Sequence, residues 1–363
     1  MKKSAASLAL SLLFAWIAFA KAQVDQPDMV IDGATRSQVI ETTLKHLNDF
    51  YVFPEIAKQM EQAVRARVAK KEYDATTSAN EFAQALTAHL RDVSHDKHLR
   101  VVYRHETIRP QIDRPPTPEE RERQSEFIRS QNFGFERVER LNGNIGYLDL
   151  RGFMYPTLAG DTAACAMGFL SNTDALIIDL RNNGGGTPAM AVLLASYLFD
   201  ADPVHYANNY AREGNTTRQW WTLPYVPGKR LGSAKPVYVL TSARTFSAAE
   251  GFAYHLKSMK RATVVGENTG GGANLTDSRP INDHFMLFVP TGRGINPITG
   301  TNWEGVGVKP DVEVPAQQAL KVAYLDALNK VMEKASDPRS KGQIKSAIDA
   351  AQKDLDEIKK NNR

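Results

Sequence analysis

The sequence predicts an α/β fold, with a largely parallel sheet covered by helices on both faces and a separate N-terminal helical bundle. From Glu136 onward, short apolar segments rich in β-formers alternate with segments of helical periodicity. Between residues 35 and 93, by contrast, apolar side chains recur only at helical spacing. The 363 residues are 42% hydrophobic and 24% charged, which is enough apolar material for a substantial core.

The first residues have the pattern of a secretory signal peptide. Lys2 and Lys3 precede an apolar run over residues 5–20, and Ala20-Lys21-Ala22 has the form of a cleavage site. An uncleaved anchor is the alternative, but about 16 apolar residues are short for a membrane span. We therefore expect cleavage after Ala22, export to the periplasm or the extracellular space, and no membrane span in the mature chain.

Charge and cysteine content exclude several classes of function. The formal charge of +4 falls to +1 when the three lysines of the leader are removed, and no basic, aromatic-rich module suggests a nucleic-acid partner. Cys165 is the single cysteine, so no intrachain disulfide can form. Its apolar surroundings predict a buried thiol.

The N-terminal part is predicted to be a helical bundle over residues 23–105 that ends in a strand. Helices are expected at residues 35–50, 53–70 and 78–93, and Ser78 with Glu81 forms a capping-box pattern at the third start. A strand follows at 99–104. Residues 106–135, rich in proline and charge, predict an exposed linker or arm.

The core domain is predicted at residues 136–335. A hairpin joins residues 137–141 to 145–150 through Asn142-Gly143-Asn144. The remaining expected elements are a helix at 157–170, a strand at 174–180, a helix at 188–199, a strand at 237–241, a helix at 248–257, a strand at 262–265 and a helix at 316–335. Residues 336–363 are expected to be a charged tail that can extend as a solvated helix.

Ser247 stands where a buried strand gives way to a helix. The N–H of Ala248 and its neighbours have no intrahelical acceptor there, and the helix dipole favours negative charge. Such a position suits an acyl-transfer nucleophile. Serine is also a common helix N-cap, and the residues alone leave both interpretations open.

Four other segments could supply chemistry. Gly184-Gly185-Gly186 follows a buried strand and could form an oxyanion hole, whereas the glycine spacings of nucleotide-binding loops are absent. His98, two residues after Asp96, is a candidate general base; His95 is its rival, and the two histidines make only an incomplete metal half-site. Glu304 lies on a glycine-rich turn and could orient a catalytic residue, while residues 266–273 form a flexible loop suited to flanking a substrate.

These motifs together resemble a serine peptidase family. It contains the C-terminal processing peptidases, the tricorn core peptidase and the interphotoreceptor retinoid-binding protein repeats. The matching segments are D-L-R-N-N-G-G-G at 179–186, T-F-S-A-A-E at 245–250, G-E-N-T-G-G-G at 266–272 and G-V-K-P-D at 307–311. The resemblance implies a ClpP/crotonase-like core, a peptide or protein substrate, and neither metal nor cofactor.

One departure from the family pattern indicates which branch of the family this chain resembles. Processing peptidases carry an activating lysine 25 residues after the nucleophile, where this chain has Gly272. The tricorn-like branch instead uses a histidine and a glutamate, matched here by His98 and Glu304. The resemblance therefore implies Ser247 as nucleophile, His98 as base and Glu304 as the orienting residue, and it leaves open whether Glu304 contacts His98 or Ser247. It implies the N–H groups of Ala248 and Gly185 as oxyanion donors.

A second departure concerns substrate capture. A PDZ domain needs roughly 80 to 90 residues, but only about 40 separate Tyr103 from Ile145, so the domain is expected to be missing. Tail specificity is therefore not implied. The alternatives are a non-catalytic carrier with an apolar cleft near Trp220, Trp221 and Phe246, and an interaction module that docks through the arm. Homo-oligomerisation stays open.

Overall fold

The computed structural model describes residues 26–108, 122 and 126–361, which form two compact units. Of these residues, the first unit comprises 26–108, Ala211–Asn215 and Asn274–Gly292, and the second comprises the remaining described segments. The predicted signal peptide lies outside the described residues, as does most of the predicted arm. The sequence boundaries placed residues 211–215 and 274–292 in the core, whereas the structure groups them with the first unit.

Three helices make up the bundle of the first unit: α1 (Gly33–Phe50), α2 (Pro54–Ala69) and α3 (Ala79–Ser94). The first and third of these helices begin at residues whose side chains cap the helix. Asp32 accepts a hydrogen bond from the Thr35 N–H, and Ser78 Oγ accepts one from the Glu81 N–H at 3.0 Å. The apolar faces of these helices meet in one cluster of buried side chains. The predicted bundle is thus confirmed.

Three strands of a five-stranded sheet lie wholly or largely in the first unit. They are β1 (Arg100–Tyr103), β9 (Asn274–Pro280) and β10 (Phe285–Ile295). β1 pairs antiparallel with β10, so that Val101 lies opposite Leu287. The apolar residues of β10 pack into the same cluster as the helices, which explains why residues late in the sequence belong to this unit.

The second unit is built on a six-stranded sheet in the order β11-β8-β7-β4-β3-β2. Its strands are β2 (Phe135–Leu141), β3 (Ile145–Leu150), β4 (Ala175–Asp179), β7 (Val237–Thr241), β8 (Thr263–Gly266) and β11 (Val312–Glu313). β3, β4, β7, β8 and β11 pair in parallel, and β2 joins β3 through the predicted hairpin. Two further strands, β5 (His205–Ala211) and β6 (Thr216–Trp221), pair with each other and were not predicted.

Helices cover both faces of the six-stranded sheet. They are α4 (Pro156–Leu170), α5 (Pro188–Ser196), α6 (Ala248–Ser258), α7 (Ala316–Lys334) and α8 (Pro338–Asn361). In β4, Leu176 and Ile178 pack with α4, α5 and α6, whereas Ala175 and Ile177 pack with α7 and α8. Because successive strand residues face opposite sides, every residue of β4 and β7 is buried. The predicted fold class is confirmed.

Two expectations about exposure need correction. Cys165 is exposed rather than buried, because α4 turns Ala163, Ala166 and Met167 inward and Cys165 outward. The charged C-terminal segment is helical but not fully solvated. One face of α8 is buried against the core, through Ile344, Ala347, Ala351 and Leu355.

Among the residues described, no helix combines the length and the apolar character needed to cross a bilayer.

Candidate active site

Ser247 is the N-cap residue of α6, in an unusual backbone conformation. Its φ is 56° and its ψ is −121°, whereas N-cap residues normally adopt extended angles. A residue other than glycine at positive φ stores strain of about 1–3 kcal/mol and persists only where its surroundings hold it. Here the preceding turn is anchored to the end of β4: Thr245 Oγ1 donates to the Leu180 carbonyl, and the Phe246 N–H donates to the Asn183 carbonyl.

The glycine loop after β4 lies directly against Ser247. Gly185 has a φ of 106°, and a Cβ added to it would lie 2.8 Å from Ser247 Cβ and 3.0 Å from the Ala248 nitrogen. Only glycine therefore fits at this position. The Gly185 N–H, predicted as an oxyanion donor, already donates to Asn183 Oδ1 at 2.8 Å. The Ala248 N–H is at the first position of α6, where no intrahelical acceptor exists.

A Gly185→Ala variant should show how tightly Gly185 packs against Ser247. The added methyl group and the positive φ are expected to destabilise the fold by about 1–3 kcal/mol and to displace Ser247. Gly160, in α4, is the matched control, because a Cβ there would meet no atom within 4 Å. Gly160→Ala is expected to stabilise the chain by about 0.5–1 kcal/mol. Urea unfolding measures both; a Gly185→Ala variant as stable as wild type would contradict the packing.

Glu250 is a buried carboxylate that the sequence reasoning missed. It lies in the first turn of α6 and accepts four hydrogen bonds, from the N–H groups of Ser247, Gly271 and Gly272 and from the Thr269 hydroxyl. Burial raises its pKa, while these hydrogen bonds act in the opposite direction. The S-x-x-E spacing was a usable signal, but it marks ordinary helix starts as well.

Glu304 is held close to the loop at residues 266–273. Its Oε2 accepts the Ala273 N–H at 2.5 Å, and its own N–H donates to Asn302 Oδ1. The neighbouring Trp303 is buried and donates its indole N–H to the Gly272 carbonyl at 2.9 Å. The predicted flexible loop at 266–273 is therefore well bonded from Thr269 onward.

His98 belongs to the first unit, whereas Ser247, Ala248, Gly185 and Glu304 belong to the second. His98 is buried between the end of α3 and the start of β1, and its backbone N–H donates to Asp96 Oδ1 at 2.9 Å. That same oxygen lies 4.0 Å from His98 Nδ1. Asp96 Oδ2 accepts hydrogen bonds from the Tyr51 hydroxyl and the Asn274 amide.

The charge state of His98 follows from its surroundings. Burial lowers its pKa to about 3, with further lowering by the positive charges of Arg100 and Arg91. The imidazole is therefore neutral at physiological pH, as a proton acceptor must be. His95, the rival candidate, is exposed and forms the left-handed C-cap of α3. Its position favours a structural role.

The aromatic residues of the predicted apolar cleft have different surroundings. Phe246 is buried in the turn before Ser247, where a Cβ on Gly270 would lie 2.6 Å from its ring. Trp221 is 45% exposed and stacks on His205 with 4.6 Å between ring centroids. Trp220 packs at the edge of the core, with the Arg218 guanidinium 4.0 Å above its ring.

Comparison with known proteins gives two family matches. Residues 144–314 match the model described as peptidase family S41. Residues 33–133 match the model described as the N-terminal domain of that peptidase family in eukaryotic IRBP.

Individual relatives are similar over part of their length. The chain is 29% identical over 177 residues to a chloroplastic C-terminal processing peptidase of Tetradesmus obliquus, covering 47% of this chain and 35% of that protein. It is 28% identical over 193 residues to a carboxy-terminal-processing protease of Bartonella bacilliformis, covering 51% and 42%. The chain thus spans less than half the length of these relatives.

A solved structure of a lipoprotein from Streptococcus agalactiae has a similar fold. The TM-score is 0.52 at 17% identity, covering 79% of this chain and 95% of that one. At this identity the likeness concerns the fold alone.

Proposed function

Because the chain belongs to peptidase family S41, we propose that it is an exported serine peptidase that cleaves peptide bonds through Ser247. One observation carries the proposal: a partly exposed serine in a strained conformation at a helix start, with Gly185 packed against it. Strain of this kind is often found at reactive positions. The polypeptide substrate and the exported location are parts of the proposal.

In the proposed mechanism, Ser247 Oγ attacks the substrate carbonyl and His98 accepts the serine proton. The carbonyl oxygen becomes an oxyanion, which the Ala248 N–H and the Gly185 N–H stabilise. His98 then donates this proton to the amide nitrogen as the carbon–nitrogen bond breaks and the amine leaves. His98 next takes a proton from water, which attacks the acyl-enzyme carbonyl. The bond from Ser247 Oγ to the acyl carbon breaks, and His98 returns the proton to Oγ. Since Asn183 Oδ1 already accepts from Gly185, the Ala248 N–H carries the larger share of the stabilisation.

Glu304 acts in this proposal as the residue that orients His98. Its carboxylate is fixed by the Ala273 N–H, which supports a positioning role. The lowered pKa of His98 leaves the ring unprotonated over the whole neutral range, so that it can accept a proton, but it also makes the ring a weaker base.

The direct test is a digest of a mixed peptide library by the exported chain, with products identified by mass spectrometry. Cleavage at defined bonds, absent from a mock preparation, is expected. N-terminal sequencing of the exported chain tests cleavage after Ala22. Intact peptides after prolonged incubation of folded protein would contradict the proposal.

The match to an IRBP N-terminal domain favours one second candidate, a carrier of hydrophobic ligands. It predicts that organic extraction of the purified chain releases a bound apolar molecule. Extraction of such a molecule from a chain that cleaves no peptide would favour the carrier.

The pH profile of kcat/KM gives a separate prediction. A base with an ordinary histidine pKa of about 6.5 would lose half its neutral fraction at that pH. Because the pKa of His98 is lowered to about 3, its neutral form persists as the pH falls. We expect kcat/KM to stay level from pH 7.5 through 6.5 to about 5.5. An acid limb centred at or above pH 6.5 would contradict this environment for His98.

A further inference from the structure

Glu250 connects the nucleophile to the loop that holds Glu304. We propose that Glu250 is a positioning residue, whose carboxylate fixes the backbone of Ser247 and residues 269–273 in one arrangement. It thereby sets both the direction of the Ser247 side chain and the place of Glu304. This inference rests on the proposed function, since it concerns the same site.

The carboxylate is shared between two segments of chain. Oε2 accepts the Ser247 N–H at 2.8 Å and the Gly272 N–H at 2.9 Å, so one oxygen atom bonds the nucleophile and the loop together. Oε1 accepts the Gly271 N–H at 2.7 Å and the Thr269 hydroxyl at 2.5 Å. A carboxylate suits this position because both of its oxygens accept and neither donates.

The same loop also binds Glu304. Gly271 and Gly272 donate to Glu250, and the next amide, that of Ala273, donates to Glu304 Oε2 at 2.5 Å. Two carboxylates therefore bind three consecutive N–H groups. A shift of this loop would move both Glu304 and the Ser247 amide.

The hydrogen bond from the Ser247 N–H to Glu250 helps to hold the strained backbone of Ser247. A positive φ in a residue other than glycine persists only where neighbouring bonds impose it. The Phe246 N–H is fixed by the Asn183 carbonyl, and the next amide, that of Ser247, is fixed by Glu250. Losing the second bond would release the strain and turn the nucleophile.

Gly272 uses both of its backbone hydrogen-bonding groups in this connection. Here Gly272 donates its N–H to Glu250 and accepts the Trp303 indole N–H through its carbonyl. The backbone of Gly272 thus joins Glu250 to Trp303. Glu250 binds the Gly272 N–H, and Glu304 binds the N–H of the next residue, Ala273.

The test is the rate at which a fluorophosphonate labels the folded protein, compared with peptide kcat and KM. In Glu250→Gln the side chain keeps its size, but its NH2 group faces donors in either orientation. We expect the labelling rate and kcat to fall roughly 100-fold with KM nearly unchanged, as a displacement of about 1 Å can cause.

The matched control is Asp326→Asn. Asp326 lies on α7, outside the proposed site, and its carboxylate accepts a hydrogen bond from the Tyr238 hydroxyl at 2.6 Å. We expect this variant to be labelled within about twofold of the wild-type rate, even if its unfolding midpoint falls.

A second pair keeps the test decisive if Glu250→Gln fails to fold. Thr269→Val removes the hydroxyl that donates to Glu250 and accepts the Val308 N–H. About a tenfold slower labelling is expected from the loss of its hydrogen bond to Glu250. Thr269→Ser keeps the hydroxyl and should restore the wild-type rate. Wild-type labelling rates in folded Glu250→Gln or Thr269→Val would overturn the positioning role while leaving the proposed function intact. Absence of labelling in the wild-type chain would overturn both.

Discussion

Replacing Ser247 with alanine is expected to remove peptide hydrolysis, with kcat falling by a factor of about 10⁴ or more. The hydroxyl is the proposed attacking group, so its loss removes the atom that would form the acyl-enzyme. Ser247 is also the N-cap of α6, so the variant should lose only about 1 kcal/mol of stability. Peptide turnover and urea unfolding of the same preparation separate these two effects.

Ser258→Ala is the matched control for this substitution. Ser258 lies in the last turn of α6, where its hydroxyl donates to the Tyr254 carbonyl, and it takes no part in the proposed chemistry. We expect its kcat to remain within about twofold of the wild-type value, as for substitutions away from the site. If Ser247→Ala retained a tenth of the activity, another residue would have to be the nucleophile.

His98→Ala is expected to have the second largest effect, a fall in kcat of at least about 10³-fold. Without the imidazole, the proposed acceptor of the serine proton is gone. The change also removes a buried ring from the first unit, at a stability cost of about 1–3 kcal/mol. Turnover is therefore compared per folded molecule, at a temperature well below the unfolding midpoint.

His95→Ala provides the comparison that distinguishes the two histidines. His95 is exposed and lies three residues before His98, so its loss should leave turnover near the wild-type value. A large loss in His95→Ala together with full activity in His98→Ala would reverse the assignment.

The core of the fold was predictable because its signals are local. Strand segments such as Ala175–Asp179 are buried on both faces and therefore read as continuous apolar runs. The hairpin at 142–144 places Gly143 and Asn144 at positive φ, which their residue types favour.

The strands that complete the first unit were not predictable in this way. β10 pairs with β1 across more than 180 positions of the sequence, and no local sequence pattern indicates such a partner.

The exposure of Cys165 was not predicted, for a related reason. Its helix is apolar on most sides, so periodicity alone does not show which side faces the core.

The candidate site likewise contains residues with a local signal and residues without one. Ser247 stands at a strand-to-helix junction that the sequence shows directly, and the glycine run at 184–186 follows a buried strand. Gly185 within that run, His98 and Glu304 were selected by family resemblance, since a lone histidine and a turn carboxylate carry little local signal. Glu250 escaped because its four partners come from two segments about 20 residues apart.

The most direct test of the central claim is the site of covalent labelling by a fluorophosphonate. The exported chain is treated with the probe, digested, and its modified peptide identified by mass spectrometry. We predict one phosphonyl adduct on Ser247, absent from Ser247→Ala and formed far more slowly in His98→Ala. Folded wild-type protein that stays unmodified across the neutral pH range, or that is labelled elsewhere, would contradict the account.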